Sequence, residues 1–341
     1  MLETNFGRHA KKKRIEWIDI AKALGIVAVV VGHAYPAKDT FYETTYWWHM
    51  PLFFLIGGFF IKSLKVQEYT VPQFIRRKVW PLLRDYLLAG ATIILINFFV
   101  EQRNAHYTLG YFGRLLYGGT ELNGYTSAFW FMTVYILALI VVTFIITFIP
   151  NKMLQFLIVG ALFLLGTSYK DAQSAFGFPM PWNADVTLMA AFYMWIGYFS
   201  FKYLKRLVQS RWLLALSIAT ASGLIVAQNL GMIDEVIYMK SHQITNSWFA
   251  MFVPLIFTFS VLAISYWLQF TPLKHFLAIV GKHTMIIMFS HKAVFFVLEK
   301  INFDAWTILS LVGITLPIVA AIIGKKMQQH WRFARQSTTT S

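Results

Sequence analysis

Lys22 and His33 stand 11 residues apart in one apolar stretch, and Asp19 precedes Lys22 by three. On a helix, at about 100° per residue, eleven steps make three turns plus roughly 20°, so cation and imidazole share a face about 16 Å apart. Asp19 is placed to pair with Lys22 across one turn. An ionisable side chain inside a bilayer span is costly and usually faces a polar cavity. For Asp19 and Lys22 the plainer alternative is snorkelling to the interface. His33, in Val-Val-Val-Gly-His-Ala, lies deeper; hydrogen-bonded packing is its plainer alternative. His291 lies 15 residues into an apolar run that starts near 276, and His33 lies 15 into one that starts near 18. Both are then about 22 Å from the same side of the membrane. His49, just before Met50-Pro51, opens another run. Three imidazoles thus fall in the same third of the bilayer, although anchoring at the interface would also account for His49 and His291.

A second polar group lies toward the other side. Arg76, Arg77 and Lys78 precede Trp80-Pro81, and Arg84-Asp85 follow one turn later. Arg77 and Arg84 are seven residues apart, so they share a face if the helix starts that early, and Pro81 makes an interruption possible. Lys282-His283 after Gly281 forms a similar pair. Such basic groups can hold phosphates or can simply mark the cytoplasmic side. A metal site is not expected, because the His residues lack ligand spacing and nearby carboxylates. With 0 Cys, disulfides and cysteine acyl-enzymes are excluded. No Gly-rich phosphate loop occurs.

These side chains must be positioned by membrane helices. Of 341 residues 57% are hydrophobic and only 13% charged, against about 25% charged in soluble domains. Mean hydropathy is +0.56. A soluble enzyme, a disordered chain and a nucleic-acid binder are excluded. Ten runs approach the roughly 20 apolar residues a span needs: 18–35, 46–61, 80–99, 127–149, 153–168, 185–201, 212–228, 247–268, 276–298 and 305–323. With alternating spans and a cytoplasmic N-terminus, 20 of the 30 Lys and Arg residues fall on the inside, and 10 of the 15 acids fall at or near the outside. The net charge of +15 is therefore a topology signal, and the partner it implies is the anionic membrane face. The expected fold is an all-α integral membrane bundle of about ten transmembrane helices with both termini cytoplasmic. Residues 1–14 form a basic cytoplasmic segment without a cleavage pattern, 15–324 the multi-span domain and 325–341 a cytoplasmic tail.

The ordered motifs resemble a known family. Lys22-x10-His33, within Trp17-Ile18-Asp19-Ile20-Ala21-Lys22-Ala23 and Val31-Gly32-His33, is similar to the Arg/Lys-x10-His signature of the membrane-bound acyltransferase-3 family. His49-Met50-Pro51-Leu52-Phe53-Phe54-Leu55-Ile56-Gly57-Gly58-Phe59 resembles its second-helix motif. Phe129-Trp130-Phe131 and the segment from Gly281-Lys282-His283-Thr284 to Ser290-His291 resemble two later ones. Members commonly have Ser-Gly where this chain has Gly57-Gly58, and the Arg-x-x-Arg spacing that some carry is missing from Arg76-Arg77-Lys78. The likeness is to stand-alone members, closest to the bacterial sugar O-acetyltransferase branch.

This resemblance implies transfer of an acetyl or other small acyl group from cytoplasmic acyl-CoA, as donor substrate, to a hydroxyl of a carbohydrate acceptor: a surface polysaccharide, an exopolysaccharide or a lipid-linked glycan. A bacterial cytoplasmic (inner) membrane location goes with it. Lys22, Arg76, Arg77, Arg84 and Lys282 would hold the donor. His33 would act either as general base or as transient acyl carrier, and His291 or His49 would orient it or polarise the carbonyl. Asp19, Trp47, Trp48, Trp130 and Tyr117 are the candidate acceptor contacts, with Tyr42 and Tyr46 nearby, although Trp and Tyr also form belts at any membrane interface. Two other classes compete: a proton-coupled transporter that uses the intramembrane His and Lys as a relay, and an inactive receptor or assembly partner. Transporters often show internal repeats, and this sequence has none.

Overall fold

The structure is a computed structural model and describes residues 14–338. Arg8, Lys11, Lys12 and Lys13 of the expected basic segment lie outside those residues, as do 339–341 at the other end.

The first helix, α1 (Glu16–Ala34), is apolar on nearly every face and buries Trp17, Ile18, Ile20, Ala21, Ala23, Ile26, Val29 and Val30. A helix of that kind belongs in the middle of a bundle. It ends at Tyr35, which Pro36 forces into extended backbone at ψ 126°. Asp39 then caps α2 (Thr40–Tyr46) by accepting from the Phe41 and Tyr42 amides. A break at Trp47-Trp48 separates α2 from α3 (His49–Gly58). The chain continues through α4 (Val71–Glu101), α5 (Ala105–Tyr117), α6 (Trp130–Phe148), α7 (Lys152–Gly166), α8 (Ala184–Leu207) and α9 (Arg211–Asn229). A short antiparallel hairpin follows, β1 (Ile237–Tyr238) and β2 (Gln243–Ile244), with Ile237 opposite Ile244 and Tyr238 opposite Gln243. Then come α10 (Ser247–Leu268), α11 (Lys274–Lys282), α12 (Thr284–Lys300) and α13 (Trp306–Thr338). Polar loop residues start several of these helices: Asn151, Ser210 and Asn246 each accept from first-turn amides.

Around α1 pack α3, α10, α11, α12 and α13, while α8 packs on α3, α6 and α7. Among the described residues six helices are long and apolar enough to cross a membrane: Glu16–Ala34, Val71–Glu101, Gly124–Phe148, Arg211–Asn229, Ser247–Leu268 and Trp306–His330. The chain is a helical, multi-pass membrane protein. Every expected span coincides with helix, but four fall on pieces that are short (α3, α7), more polar (α8) or divided (α11 and α12). The expected span 276–298 is broken at His283, where the backbone leaves helical geometry (φ −105°, ψ 12°). The Thr284 hydroxyl donates to the Gly281 carbonyl at 2.7 Å, and the His283 ring donates from Nδ1 to the Ile279 carbonyl at 2.8 Å, so freed backbone groups are satisfied locally.

The interruption expected at Pro81 takes a milder form. Helix α4 runs through it, with a π-helical turn at Ile75–Val79. Pro81 has no N–H, and its ring would press on the carbonyl of Arg77 in a regular α-helix. The wider turn relieves that contact.

Close backbone approach holds α3 against α8. A Cβ at Gly58 would stand 1.9 Å from the Met194 carbonyl oxygen, and one at Gly197 would stand 1.9 Å from that of Leu55. Small residues of this kind let membrane helices pack through their backbones. This gives Gly58, the Gly that the family pattern shares, a packing reason. Gly197→Ala is expected to separate α3 from α8 at a cost of about 1–3 kcal/mol, read as a lower melting temperature of the detergent-purified protein. Gly160→Ala, where a Cβ meets nothing within 4 Å, should leave the melting temperature unchanged.

Candidate functional site

Helix α1 carries His33 at its outer end by the charge-derived orientation, and α12 brings His291 against it. His33 Nδ1 and His291 Nε2 are 2.8 Å apart. The ring planes are nearly parallel, 8° apart, with centroids at 5.1 Å, a separation that fits two imidazoles joined edge to edge. His291 Nδ1 lies 2.8 Å from the Ile287 carbonyl oxygen. A carbonyl can only accept, so this assigns the hydrogen of neutral His291 to Nδ1 and leaves Nε2 as acceptor. His33 Nδ1–H must then donate to it, which leaves the lone pair of His33 on Nε2. Two hydrogen bonds in series therefore set which nitrogen of His33 is basic.

His33 is half-buried and lines a cavity of about 370 Å³ together with His49, Tyr42, Tyr46, Trp130, Phe131, Tyr238, Lys240 and Lys38. His49 does not reach His33 by a hydrogen bond. Its Nδ1–H donates to the Thr45 carbonyl at 2.7 Å, which orients a second Nε2 lone pair. The Tyr46 ring lies between the two imidazoles, edge-on to His49 at 4.7 Å and 6.4 Å from His33. Of the two expected partners, His291 holds His33 and His49 shares its cavity.

The inner half of α1 carries Lys22, whose Nζ lies 2.5 Å from Asp19 Oδ1; the expected pair forms. Lys22 and Lys282 line a second cavity of about 300 Å³ with Gly57, Phe60, Tyr135 and Met285. Phe53, Phe131 and Met288 line both cavities, as a shared wall. A third cavity, about 250 Å³, is lined by Lys62, Arg77 and Lys78 and shares Gly57, Phe60, Leu82 and Tyr135 with the second. Three adjoining hollows thus run from a basic mouth to His33. Helix α11 seats Lys282 there through Gly281, whose Cβ would come 1.8 Å from the Asp19 carbonyl oxygen.

The expected basic cluster is divided. Arg77 and Lys78 line the third cavity, and the Arg77 guanidinium also stacks over Tyr69 at 5.0 Å. Arg76 is exposed and lines none of the three hollows. Arg84 is exposed and pairs with its neighbour Asp85 at 2.8 Å. Arg77 lies within the wider π turn, so the seven-residue step to Arg84 is not that of a regular α-helix, and the two side chains have different surroundings.

The expected acceptor contacts divide likewise. Trp130 lines the His33 cavity. Trp47 is a core residue instead: it is fully buried against Phe249 and Phe257, and its indole N–H donates to the Glu235 carbonyl. Trp48 leans edge-on over His49 from outside the cavity. Tyr117 donates to the Pro179 carbonyl and ties two outer loops together. Asp19 is spent on Lys22 near the opposite end of α1 from His33. Lys38, Tyr238 and Lys240, which lie between expected spans and carry no motif, line the cavity in their place. The one signal for the two lysines was that they break the scarcity of cations outside.

The hairpin carries Tyr238 and Lys240 to the site, and His242 fastens it. His242 Nδ1 lies 2.9 Å from Asp185 Oδ2 at the start of α8, and Nε2–H donates to the Gly166 carbonyl at the end of α7. All three are buried.

A family model described as an acyltransferase domain, that of the acyltransferase-3 family, matches residues 15–324. The chain belongs to that family. It is a membrane acyltransferase, and nothing in the comparisons favours the transporter reading. No curated protein and no solved structure matches it.

His242→Ala leaves Asp185 without its partner, at about 1–3 kcal/mol for a buried polar group. Amide hydrogen exchange over 236–245 is expected to rise by about tenfold or more, while α6 amides stay protected.

Proposed function

We propose that this acyltransferase moves an acetyl or similarly small acyl group from cytoplasmic acyl-CoA to a hydroxyl of a cell-envelope glycan or lipid-linked sugar. It works in a bacterial cytoplasmic membrane with both termini inside. The observation that carries the reading is the hydrogen-bond series Ile287–His291–His33, which leaves a basic nitrogen on a histidine that lines a cavity of sugar size.

The donor approaches from the basic mouth. Lys62, Arg77 and Lys78 meet its phosphates, while Arg76 and Arg84 act at most through long-range attraction. The pantetheine arm lies along the second hollow past Lys22 and Lys282, and the thioester reaches the wall of Phe53, Phe131 and Met288. The acceptor enters the outer cavity, with Trp130, Tyr42, Tyr46 and Tyr238 as stacking surfaces for sugar rings. Its hydroxyl oxygen attacks the thioester carbonyl carbon, and the hydroxyl proton passes to His33 Nε2. The imidazolium that forms keeps its Nδ1–H bond to His291, whose free acceptor stabilises the new charge. The carbon–sulfur bond then breaks, and CoA leaves as a thiol with the proton from His33. The apolar wall keeps bulk water from the thioester, whose hydrolysis would compete.

A general base contributes about 10²–10⁴-fold. His33→Ala is expected to lower glycan acetylation by that order in proteoliposomes supplied with acetyl-CoA, with membrane insertion intact and only a modest fall in melting temperature from the unpartnered His291 Nε2. Wild-type turnover in the variant overturns the reading. His291→Gln offers an amide oxygen to His33 Nδ1–H, whereas His291→Leu offers none. The Gln variant is expected to keep the greater activity, and the Leu variant's pH–rate profile should have a lower plateau, from the wrong His33 tautomer, and shift to lower pH, because an imidazolium without its acceptor gives up its proton more readily. Equal profiles would show that His291 only packs.

A further inference from the structure

The outer cavity has an unbalanced charge. Its lining includes two ammonium groups, Lys38 and Lys240, and no Asp or Glu. Among the described residues neither lysine pairs with a carboxylate. The outside loops of this chain are poor in cations, so retention of the pair at this one hollow calls for a reason other than topology. Lys240 is half-buried on the hairpin. Its ammonium spends one donor on the Leu122 carbonyl at 2.5 Å, while the Asn183 amide holds its backbone carbonyl. An ammonium has three donors, so two remain for a ligand. Burying a cation without a counter-ion is costly, and that cost falls when an anion enters. Lys38 stands exposed at the mouth, on the short link between α1 and α2. Latching of the hairpin by His242 fixes Lys240 relative to α8 and thus keeps the arrangement in place without a ligand.

We propose that the acceptor carries an anionic group, a carboxylate or a phosphate, that binds Lys240 and Lys38 while the hydroxyl to be acylated reaches His33. This rests on the acyltransferase reading above and narrows its acceptor to acidic sugars or sugar phosphates. The charged group anchors the ring, and the aromatic walls set which hydroxyl faces Nε2. Neutral sugars of the same shape would bind weakly, because they leave the lysines uncompensated. Hydrogen bonds to a charged partner are worth more than neutral ones, and they weaken with salt.

The test reads the site directly. Purified full-length protein in nanodiscs is treated with diethyl pyrocarbonate, and modification of His33 is followed by peptide mass spectrometry. Galacturonate, glucose 1-phosphate, galactose and glucose are compared as protectants. Galacturonate or glucose 1-phosphate is expected to protect His33 at concentrations about tenfold or more below its neutral counterpart. Whichever does so identifies the anion as carboxylate or phosphate. Lys240→Gln should remove the difference, Lys240→Arg should keep it, and Lys38→Gln, at an exposed position, should reduce it without altering the melting temperature. Equal protection by charged and neutral sugars, or no protection by either charged sugar, overturns the proposal. Transfer of the acetyl group from acetyl-CoA to envelope glycan by the same preparation, lost in His33→Ala, is measured alongside. If that persists while the sugars are not distinguished, the anion claim alone fails; if it is absent from wild type, the acyltransfer mechanism fails.

Discussion

A neutral imidazole inside an apolar bundle has one donor and one acceptor, and each must find a partner or lose free energy to desolvation. His291, fully buried, meets this by giving its N–H to a carbonyl of its own helix and its lone pair to His33. The consequence reaches further than satisfaction. With both edges of His291 spoken for, the proton of His33 has one place to be, and its basic nitrogen is the one left over. The rest of the fold serves this bond. Helix α11 and its break at His283 let α12 pass α1 at the right distance, and Gly281 lets the pair approach until backbone nearly touches backbone.

The parts of this arrangement differ in how well the sequence exposes them. Long apolar helices do so best: the run 247–268 matches α10 at both ends, and α1 falls within two residues of its expected start. The equal depth holds, since His33 and His291, 15 residues into two parallel runs, do meet. The count worked although it treated 276–298 as one straight helix, because the break lies well before His291 and costs the count little. The break itself has no Pro and no strong signal; side-chain hydrogen bonds from His283 and Thr284 supply the turn. The π turn at Ile75–Val79 is equally quiet, and it separates Arg77 from Arg84. A turn wider than 3.6 residues changes the rotation between successive side chains, and Arg77 lines a cavity while Arg84 sits in an exposed ion pair.

Aromatic residues were the hardest to sort. Trp47 and Trp48 are neighbours near an expected interface, yet one is core and the other leans on His49. Composition cannot separate a belt, a core and a binding surface, because all three reward a flat apolar ring with one polar edge. What separates them is tertiary: the Trp47 N–H meets the Glu235 carbonyl in the core, and the Trp48 ring rests against His49. Lys240 shows the converse. Nothing near it in sequence marks a site, and it matters because a four-residue hairpin turn, fastened by His242, folds it back over His33. Loops that carry function can be recognised by their anchors, and the anchor here lies two residues from the side chain that it positions.

The shared wall of Phe53, Phe131 and Met288 poses the last constraint. On the proposed reading two substrates enter from opposite faces of a membrane and must touch, yet the membrane must stay closed to ions and protons when either is absent. A polar gate would conduct, and a rigid apolar plug would keep the substrates apart. Two Phe rings and a thioether offer a third course: a Met side chain has three rotatable bonds and adapts to irregular space, while the rings keep the contact dry. Gly57, one helical turn beyond Phe53 and pressed against Tyr135, leaves no room for a Cβ on the inner side of that wall. The width of the second hollow therefore depends on the absence of a side chain there, and the Gly-Gly in place of Ser-Gly removes a polar group from the stretch where the chain can least accommodate water.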